Sequence, residues 1–220
     1  MSFFLTYDAE NWEYHLTTPG YVVLVILMVA ALVIPIVLSR KNNKKMSAKQ
    51  LTFCAVAMAL ALVTSFIKVA SLPMGGSITL FSMFFMCFIG YLYGPKIGIM
   101  TGVAYGILQL IIEPYIYAPL QVLLDYPLAF GALGLSGLFS EKKYGLYIGY
   151  VVAILGRFLC SFLSGFIFFG EYAPEGMNPV WYSFVYNILY IGGEGVLTLI
   201  VLALPPVKSA LVRLKAQMIK

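Results

Sequence analysis

The chain has 220 residues, of which 61% are hydrophobic and only 10% are charged, and its formal net charge is +5. Charged residues make up about a quarter of an ordinary soluble domain, so this composition excludes the soluble globular class and predicts a membrane protein. The positive charge suits anionic lipid headgroups at a membrane surface. It is a weak basis for nucleic-acid binding, and we expect no nucleic-acid partner.

Long apolar segments follow one another along most of the chain. A helix needs about 20 apolar residues to cross the hydrocarbon core, whereas a transmembrane β-barrel shows alternating segments of about 10 residues. The short connections leave no room for a separate soluble domain. The sequence therefore predicts an all-α integral membrane bundle with seven spans, at 20–39, 47–71, 78–94, 96–113, 117–139, 146–170 and 180–204.

Charge in the connections predicts the orientation. Lys and Arg cluster after the first span, in later loops of the same side and in the tail. The opposite connections carry acidic residues and no Lys or Arg. The positive-inside rule then puts the N-terminus outside and the C-terminus inside. We expect three regions: an external lead, a first helix and a basic linker over 1–46, the main membrane bundle over 47–204, and a basic cytoplasmic tail over 205–220.

Besides Lys49, Lys96 and Glu113 at the span ends, four charged residues fall inside the predicted spans: Lys68, Asp125, Arg157 and Glu194. Ionised side chains within a bilayer are costly and commonly face a partner, a cavity or a substrate. Arg157 and Glu194 are expected at similar depths, so they could either neutralise each other as a packing device or contact a ligand. Asp125 has no basic residue certain to match its depth, which favours a cationic ligand entering from outside.

Aromatic residues gather in the outer half of the predicted bundle. Tyr and Trp form interfacial belts in most membrane proteins, and a belt explains the residues at the rim. It does not explain Asn187 or Asp125, whose polar groups hydrocarbon cannot satisfy. A flat, cationic or hydrogen-bonding heterocycle would use both the rings and these polar groups.

Small residues mark one further surface. Ala55 and Ala59, and likewise Ala57 and Ala61, are four positions apart, so each pair lies on one helix face and permits close approach of another helix. The pattern alone does not separate packing within the bundle from docking of another protein.

Motifs for catalysis, metal binding and nucleotide binding are missing from the sequence. The chain has no GxxxxGK[ST] loop, so any ATP must be used by a partner. Its single histidine, His15, lies in the N-terminal lead, which excludes HExxH zinc chemistry and Ser-His catalysis within the membrane. Cys54, Cys87 and Cys160 have no metal-ligand spacing and are best explained as inert buried thiols. We expect no catalytic residue, metal or cofactor.

Five segments then carry a resemblance to a known family: GGSITLFSMF, YGILQL, QVLLDYPLAFGALGLSGLF, SGFIFFGEYAPEG and WYSFVYNILY. Their order and spacing resemble the thiamine-specific substrate-binding subunits (S components) of energy-coupling-factor (ECF) transporters over about residues 48–204. The resemblance implies a six-helix bundle plus one extra helix, in the bacterial cell membrane. It also implies capture of thiamine without chemistry, a transmembrane coupling protein and two cytosolic ATPases as partners, and a docking role for the alanine helix.

The same resemblance implies a set of pocket residues. Asp125 would balance the thiazolium cation, aromatic rings would sandwich the ligand's rings, and Asn187 would bond the aminopyrimidine. With the intramembrane Glu194, the expected substrate-binding residues are Tyr105, Asp125, Tyr126, Arg157, Gly165, Tyr182, Asn187 and Glu194.

Four positions depart from the pattern of some family members. Phe169 and Tyr105 stand where some have tryptophan, Ser161 where some have histidine, and Arg157 where some have lysine. Arg and Lys differ in hydrogen-bond geometry. Two alternatives stay open: an ECF subunit for another small vitamin or precursor, such as a pyrimidine or riboflavin, and a membrane enzyme that uses Asp125 and Glu194 as acid and base.

Overall fold

A computed structural model of the chain describes residues 5–8, 13–20, a few positions between 22 and 37, 46–72 and 76–218. The predicted first span, 20–39, and the basic linker that follows it lie largely outside the described residues. The structure therefore bears on the bundle, the tail and a short N-terminal hairpin.

Seven helices follow one another in the described part of the chain from residue 46 onward. They are α1 (Ala48–Ser65), α2 (Ser82–Tyr93), α3 (Pro95–Ile112), α4 (Pro119–Phe139), α5 (Gly145–Phe168), α6 (Pro179–Ala203) and α7 (Pro205–Met218). Five of them, α1 and α3 to α6, are long and apolar enough to cross a membrane, and α2 is a shorter apolar helix. The predicted spans in this region therefore correspond to real helices.

Local sequence explains where these helices begin. Ser47 caps α1 in a reciprocal capping box with Gln50. Proline is the first residue of four others, where its missing N–H costs nothing and its fixed φ suits a helix: α3, α4, α6 and α7.

Two antiparallel β-hairpins are present that the predicted all-α fold did not include. β1 (Leu5–Asp8) pairs with β2 (Glu13–Leu16), and β3 (Lys68–Ser71) pairs with β4 (Ser77–Thr79). The predicted span 47–71 thus ends too late, and the predicted span 78–94 begins too early. Lys68 lies in a strand and not inside a helix. Hydropathy alone does not distinguish a short apolar strand from the last turn of a helix, and Val69, Ile78 and Thr79 are β-branched.

The core lies where α2, α3, α4 and α5 meet. Met83, Met86 and Leu133 are almost fully buried in it. Glycines let the backbones touch: a Cβ on Gly134 would lie 2.2 Å from the backbone N of Ile99. Close approach through small residues is the usual packing device of membrane helices, and it draws α4 deep into the bundle.

The alanines of α1 fall in two environments. Ala57 and Ala61 are buried against the bundle, at 6% and 0% exposure, whereas Ala55 and Ala59 are exposed. Residues two apart on a helix differ by about 200° in direction. The predicted docking set of Ala55, Ala57, Ala59 and Ala61 is therefore divided, and only Ala55 and Ala59 face outward.

The basic tail packs against one end of the bundle. Lys215 of α7 donates to the carbonyl of Ser140 and lies over the Tyr91 ring, with Nζ 3.7 Å from its centroid. Lys49 at the start of α1 donates to the Gln217 carbonyl at 3.0 Å. The predicted tail, 205–220, is thus a helix over most of its length.

Candidate functional site

A cavity of about 490 Å³ opens at the end of the bundle opposite the tail. Its walls come from the β3–β4 hairpin, the connection after α3, and the nearby parts of α4, α5 and α6. Pockets for small molecules have volumes of roughly 300 to 1,000 Å³. The cavity is therefore a candidate site for one small ligand.

Most of the expected pocket residues meet at this cavity. The structure places the following on its wall: Asp125, Tyr126, Arg157, Gly165, Tyr182, Asn187 and Glu194.

Tyr105 is the exception among the expected residues. It is fully buried, and its ring packs edge-on against Phe130 at 5.1 Å between centroids. Its hydroxyl accepts from Gln109 Nε2 at 2.6 Å. Phe130 lines the cavity and Tyr105 does not, so the structure does not place Tyr105 on the cavity wall with the other expected residues.

Two π-turns shape the cavity wall. The first, Leu124–Leu128 in α4, contains Asp125, Tyr126 and Pro127. The second, Ile188–Gly192 in α6, lies between Asn187 and Glu194. Proline cannot donate a backbone hydrogen bond, which accounts for the irregular ladder in α4. Such turns are frequent at functional sites because they re-aim side chains without ending a helix.

The Asp125 carboxylate is held by neutral donors only. Gln121 Nε2 donates to Oδ2 at 2.7 Å, and Ser164 Oγ donates to the same oxygen at 2.8 Å. Among the described residues, no donor reaches Oδ1 and no cation pairs with the carboxylate. A charge held in this way keeps one oxygen available to a ligand in the cavity.

Arg157 also lines the cavity, and two of its nitrogens lack partners. The guanidinium stacks over Phe130, with Cζ 4.2 Å from the ring centroid. Nε and Nη1 are buried and have no hydrogen-bond partner in the described part of the chain. Neither Asp125 nor Glu194 forms a salt bridge with it, so the pairing of Arg157 with Glu194 as a packing device is absent here. Buried unpaired donors are costly, and a ligand acceptor would relieve that cost.

Glu194 is almost fully buried and has more partners than Asp125. Thr79 Oγ1 and Ser82 Oγ donate to its carboxylate, and the Met83 backbone N–H donates to Oε1 at 2.9 Å. Phe81 precedes α2 with φ 62° and gives no side-chain cap. Glu194 therefore caps the N-terminus of α2 from another helix, where a negative charge is favourable.

Asn187 is held by the close contact of α5 and α6. Its Nδ2 donates to the Ser183 carbonyl at 2.8 Å and to the Ser161 carbonyl at 3.3 Å. Gly165 makes room for this arrangement, because a Cβ there would lie 2.2 Å from Ser183 Oγ and 3.3 Å from Asn187 Nδ2. With its NH₂ occupied, the amide can offer its oxygen to a ligand donor.

Aromatic rings cover two parts of the wall. Tyr182, Tyr186 and Tyr190 follow one face of α6, with neighbouring centroids 5.9 and 5.6 Å apart. Phe169 at the end of α5 contacts the rings of Tyr115 and Tyr117, both at 5.6 Å. Flat ring systems are suited to stacking on such faces, and a cation gains further from the ring quadrupole.

The cavity mouth is crossed by two contacts from the β3–β4 hairpin. Lys68 Nζ lies 3.5 Å from Glu113 Oε1, with both side chains substantially exposed. The Gly76 backbone N–H donates to the Tyr186 hydroxyl at 2.7 Å. The hairpin is thereby attached to α3 and α6 above the site.

Charge in the cavity is unbalanced. Five charged side chains line the cavity: two cations, Lys68 and Arg157, and three carboxylates, Glu113, Asp125 and Glu194. Fully ionised, these five give a formal net charge of −1, which a monovalent cation would neutralise. The described residues contain no group of three or more His, Cys, Asp or Glu that could hold a metal ion.

Several residues of the site were missed by sequence reasoning. Thr79, Ser82 and Ser164 touch the carboxylates, and Gln121 supports Asp125 from one helical turn earlier. Serine and threonine are common in membrane helices and give little signal. Gln121 offered one, because an amide four positions from an intramembrane acid lies on the same helix face.

Comparison with known proteins identifies the family. The sequence model of the family described as "Thiamine transporter protein (Thia_YuaJ)" matches residues 51–213. The chain belongs to this family. The match covers α2 to α6 and most of α1 and α7, so it contains every wall of the cavity.

Two named relatives agree with this assignment. The thiamine transporter ThiT of Bacillus subtilis is 37% identical over 149 residues, covering 61% of this chain and 77% of that protein. The ThiT of Lacticaseibacillus paracasei is 34% identical over 122 residues, covering 46% of this chain and 59% of that protein. Both are named as transporters, which is a non-catalytic role.

A solved structure shares the fold. ThiT from Listeria monocytogenes superimposes with a TM-score of 0.62 at 25% identity, covering 71% of this chain and 94% of that one. With its apolar helices, this member of the thiamine transporter family is a multi-pass bacterial membrane protein.

Proposed function

We propose that this protein is the thiamine-capture subunit of an ECF uptake transporter. It takes thiamine from the extracellular side into the cavity between α4, α5 and α6, and it performs no chemistry on it. The N-terminus lies outside and the C-terminus inside, so the cavity end faces outward and α7 lies at the cytoplasmic surface, as the basic tail favours.

One observation carries the ligand class: the Asp125 carboxylate lies in the wall of a cavity with net charge −1 and has only neutral partners. Thiamine carries one permanent positive charge, on its thiazolium ring. A desolvated carboxylate beside that ring would form a charge pair that water screens little. The aromatic faces of Phe169 and Tyr182 would stack on the rings.

The aminopyrimidine part has matching groups in the same cavity. Its amino group can donate to the Asn187 amide oxygen, and its ring nitrogens can accept from the unpaired Arg157 N–H groups. Arg157 would then gain in the complex the hydrogen bonds that it lacks in the free protein.

The partners follow from what the chain does not contain. No nucleotide-binding loop is present in the sequence, so any ATP that drives uptake must be used by another subunit. We propose a transmembrane coupling protein and two cytosolic ATPases. The exposed Ala55 and Ala59 on α1 allow the closest approach of another helix.

Calorimetric titration of the detergent-purified protein with thiamine, without ATP, tests the capture role. We expect saturable one-to-one binding by the wild type, and roughly 100-fold weaker binding by Asp125→Asn. Riboflavin and a free aminopyrimidine serve as competitors. Preferential binding of either competitor would show that thiamine is not the ligand. Chemical conversion of thiamine by the isolated protein would contradict a capture role.

Energy coupling needs a separate experiment. Cells that cannot make thiamine should take it up only when this protein is expressed with a coupling protein and its ATPases. Large side chains at both outward alanines, Ala55→Leu with Ala59→Leu, should abolish uptake and leave binding intact. The matched control is Val56→Leu on the same exposed face of α1. Uptake by this chain alone would contradict the ECF assignment.

A further inference from the structure

Gln121 is a buried amide one helical turn before Asp125, with 1% of its surface exposed. It does not line the cavity. Its side chain forms three hydrogen bonds: Nε2 donates to Asp125 Oδ2 at 2.7 Å and to the Tyr115 carbonyl at 3.2 Å, and Oε1 accepts from the Tyr117 N–H at 3.0 Å. Both amide hydrogens and the amide oxygen are therefore used.

The bond to Asp125 determines which oxygen faces the cavity. Gln121 and Ser164 both donate to Oδ2, from α4 and from α5, so the carboxylate is held from two helices. Rotation of the carboxylate would break both hydrogen bonds. Oδ1 is thereby left without a donor among the described residues, and no charged residue fixes the group.

The other two bonds join the same amide to the connection after α3. Tyr115 and Tyr117 in this connection place their rings against Phe169. Tyr126 holds the connection independently, because its hydroxyl accepts from the Tyr115 N–H and donates to the Glu113 carbonyl, each at 2.9 Å. Loss of the Gln121 amide is therefore expected to affect Asp125 more than the position of this connection.

We infer that Gln121 is a positioning residue for ligand binding: it sets the orientation of the Asp125 carboxylate toward a cationic guest without touching that guest. The inference rests on the proposed function, because it concerns the affinity of the same cavity for thiamine. Glutamine is suited to this position because it donates to a carboxylate and carries no charge that would neutralise it.

A double-mutant cycle tests the inference. Gln121→Met keeps the side-chain length and removes all three hydrogen bonds. We expect it to weaken thiamine binding by about tenfold in the wild-type background, as for loss of a hydrogen bond to a charged group, and by less than about threefold in the Asp125→Asn background. Dissociation constants of the four proteins would be measured by titration.

A neutral analogue provides the second measurement. In the wild type, replacing the thiazolium nitrogen by carbon removes the ligand's charge and keeps its shape. Gln121→Met should weaken binding of this analogue by less than about threefold, because no charge then depends on the carboxylate orientation. Equal losses for both ligands would show that Gln121 acts through the fold, and would overturn the inference.

Tyr147→Phe is the matched control for lost stability. It removes a part-buried hydrogen bond to the Leu202 carbonyl, 2.9 Å long, at the opposite end of the bundle, and it should leave thiamine affinity unchanged. If Gln121→Met does not fold, Gln121→Asn in the same cycle replaces it, since that side chain keeps an amide but is one methylene too short to bridge the same groups.

The outcomes separate this inference from the proposed function. Wild-type affinity in a folded Gln121 variant, or equal losses in both Asp125 backgrounds, would overturn the inference alone. Failure of the wild type to bind thiamine would overturn the proposed function, and this inference with it.

Discussion

Asp125 and Glu194 line the same cavity from α4 and α6, but their carboxylates are held differently. Asp125 accepts two hydrogen bonds from side chains on one oxygen, and Glu194 accepts from two hydroxyls and a backbone N–H over both oxygens. The partners of Glu194 join β4 and the start of α2. Asp125 thus keeps an oxygen for a ligand, whereas Glu194 is largely occupied in holding the wall together.

The comparison shows that an intramembrane acid is not by itself a binding residue. Both groups contact the cavity, but Asp125 is half-buried and Glu194 is almost fully buried, and the count and origin of their donors differ. Substitution of each carboxylate should therefore change a different property: affinity at Asp125 and stability at Glu194.

The first prediction concerns the charge of Asp125. Asp125→Asn keeps the shape and an oxygen for Gln121 and Ser164, so the protein should fold. Thiamine affinity should fall by about 3 kcal/mol, or roughly 100-fold in Kd, because the cation loses a partner in a poorly screened site. Titration with thiamine and with its uncharged carbon isostere measures this. Equal losses for the two ligands would contradict a charge pair at Asp125.

The second prediction concerns the hydrogen bonds of Glu194. Glu194→Leu leaves Thr79, Ser82 and the Met83 N–H without their acceptor, and should destabilise the protein by about 2 to 3 kcal/mol. Thermal unfolding in detergent measures this loss. Glu194→Gln is the control, because it keeps an oxygen for Met83 and should lose less stability.

One result for Glu194→Gln would contradict the contrast between Glu194 and Asp125. If Glu194→Gln unfolds like the wild type but loses thiamine affinity as strongly as Asp125→Asn, both carboxylates contact the cation. The distinction between them would then be wrong.

The third prediction concerns the packing that holds Asn187. Gly165→Ala would place a Cβ 2.2 Å from Ser183 Oγ, so Ser183 must rotate and Asn187 must shift. Thiamine affinity should fall by about tenfold, equivalent to about 1.4 kcal/mol. Gly192→Ala is the control, since a Cβ there meets only Ile188 atoms at 3.6 Å. An unchanged Kd for Gly165→Ala would exclude a precise role for the Asn187 amide.

The fourth prediction concerns the hairpin above the site. Tyr186→Phe removes the acceptor of the Gly76 N–H. It should weaken the attachment of the hairpin to α6 by about 1 kcal/mol. Thiamine should dissociate several-fold faster, with a smaller change in the association rate. Stopped-flow fluorescence measures both rates, with Tyr147→Phe as the control at the other end. A slower dissociation would contradict an attachment that retains the ligand.

Hydrophobic pattern alone located most of the bundle. The predicted ends of α3, α4, α5 and α6 agree with the structure within two residues, because long apolar runs bounded by Pro or Gly leave few alternatives. The prediction was wrong around β3 and β4, where apolar residues continue past Ser65 in a strand. Whether these residues form a strand or continue the helix depends on hydrogen bonding between two separate short segments. Local hydropathy does not show that pairing.

The site was predicted less completely than the helices. Rarity of charge in an apolar chain pointed to Asp125, Arg157 and Glu194, and all three line the cavity. Tyr105 does not reach the wall, because its ring packs against Phe130, which lines the cavity. A helix face gives the direction of a side chain, but it does not show which neighbouring ring comes between that side chain and the cavity.

The membrane class, the positions of the long helices and the small set of polar groups inside them could all be predicted from the amino-acid sequence. Each follows from the local cost of placing a residue in hydrocarbon. Which carboxylate is available depends on how the helices pack, because most of the donors come from distant segments: Thr79 lies 115 positions from Glu194, and Ser164 lies 39 positions from Asp125. A hydrogen bond acts over about 3 Å, so its partners are known only once the helices have packed.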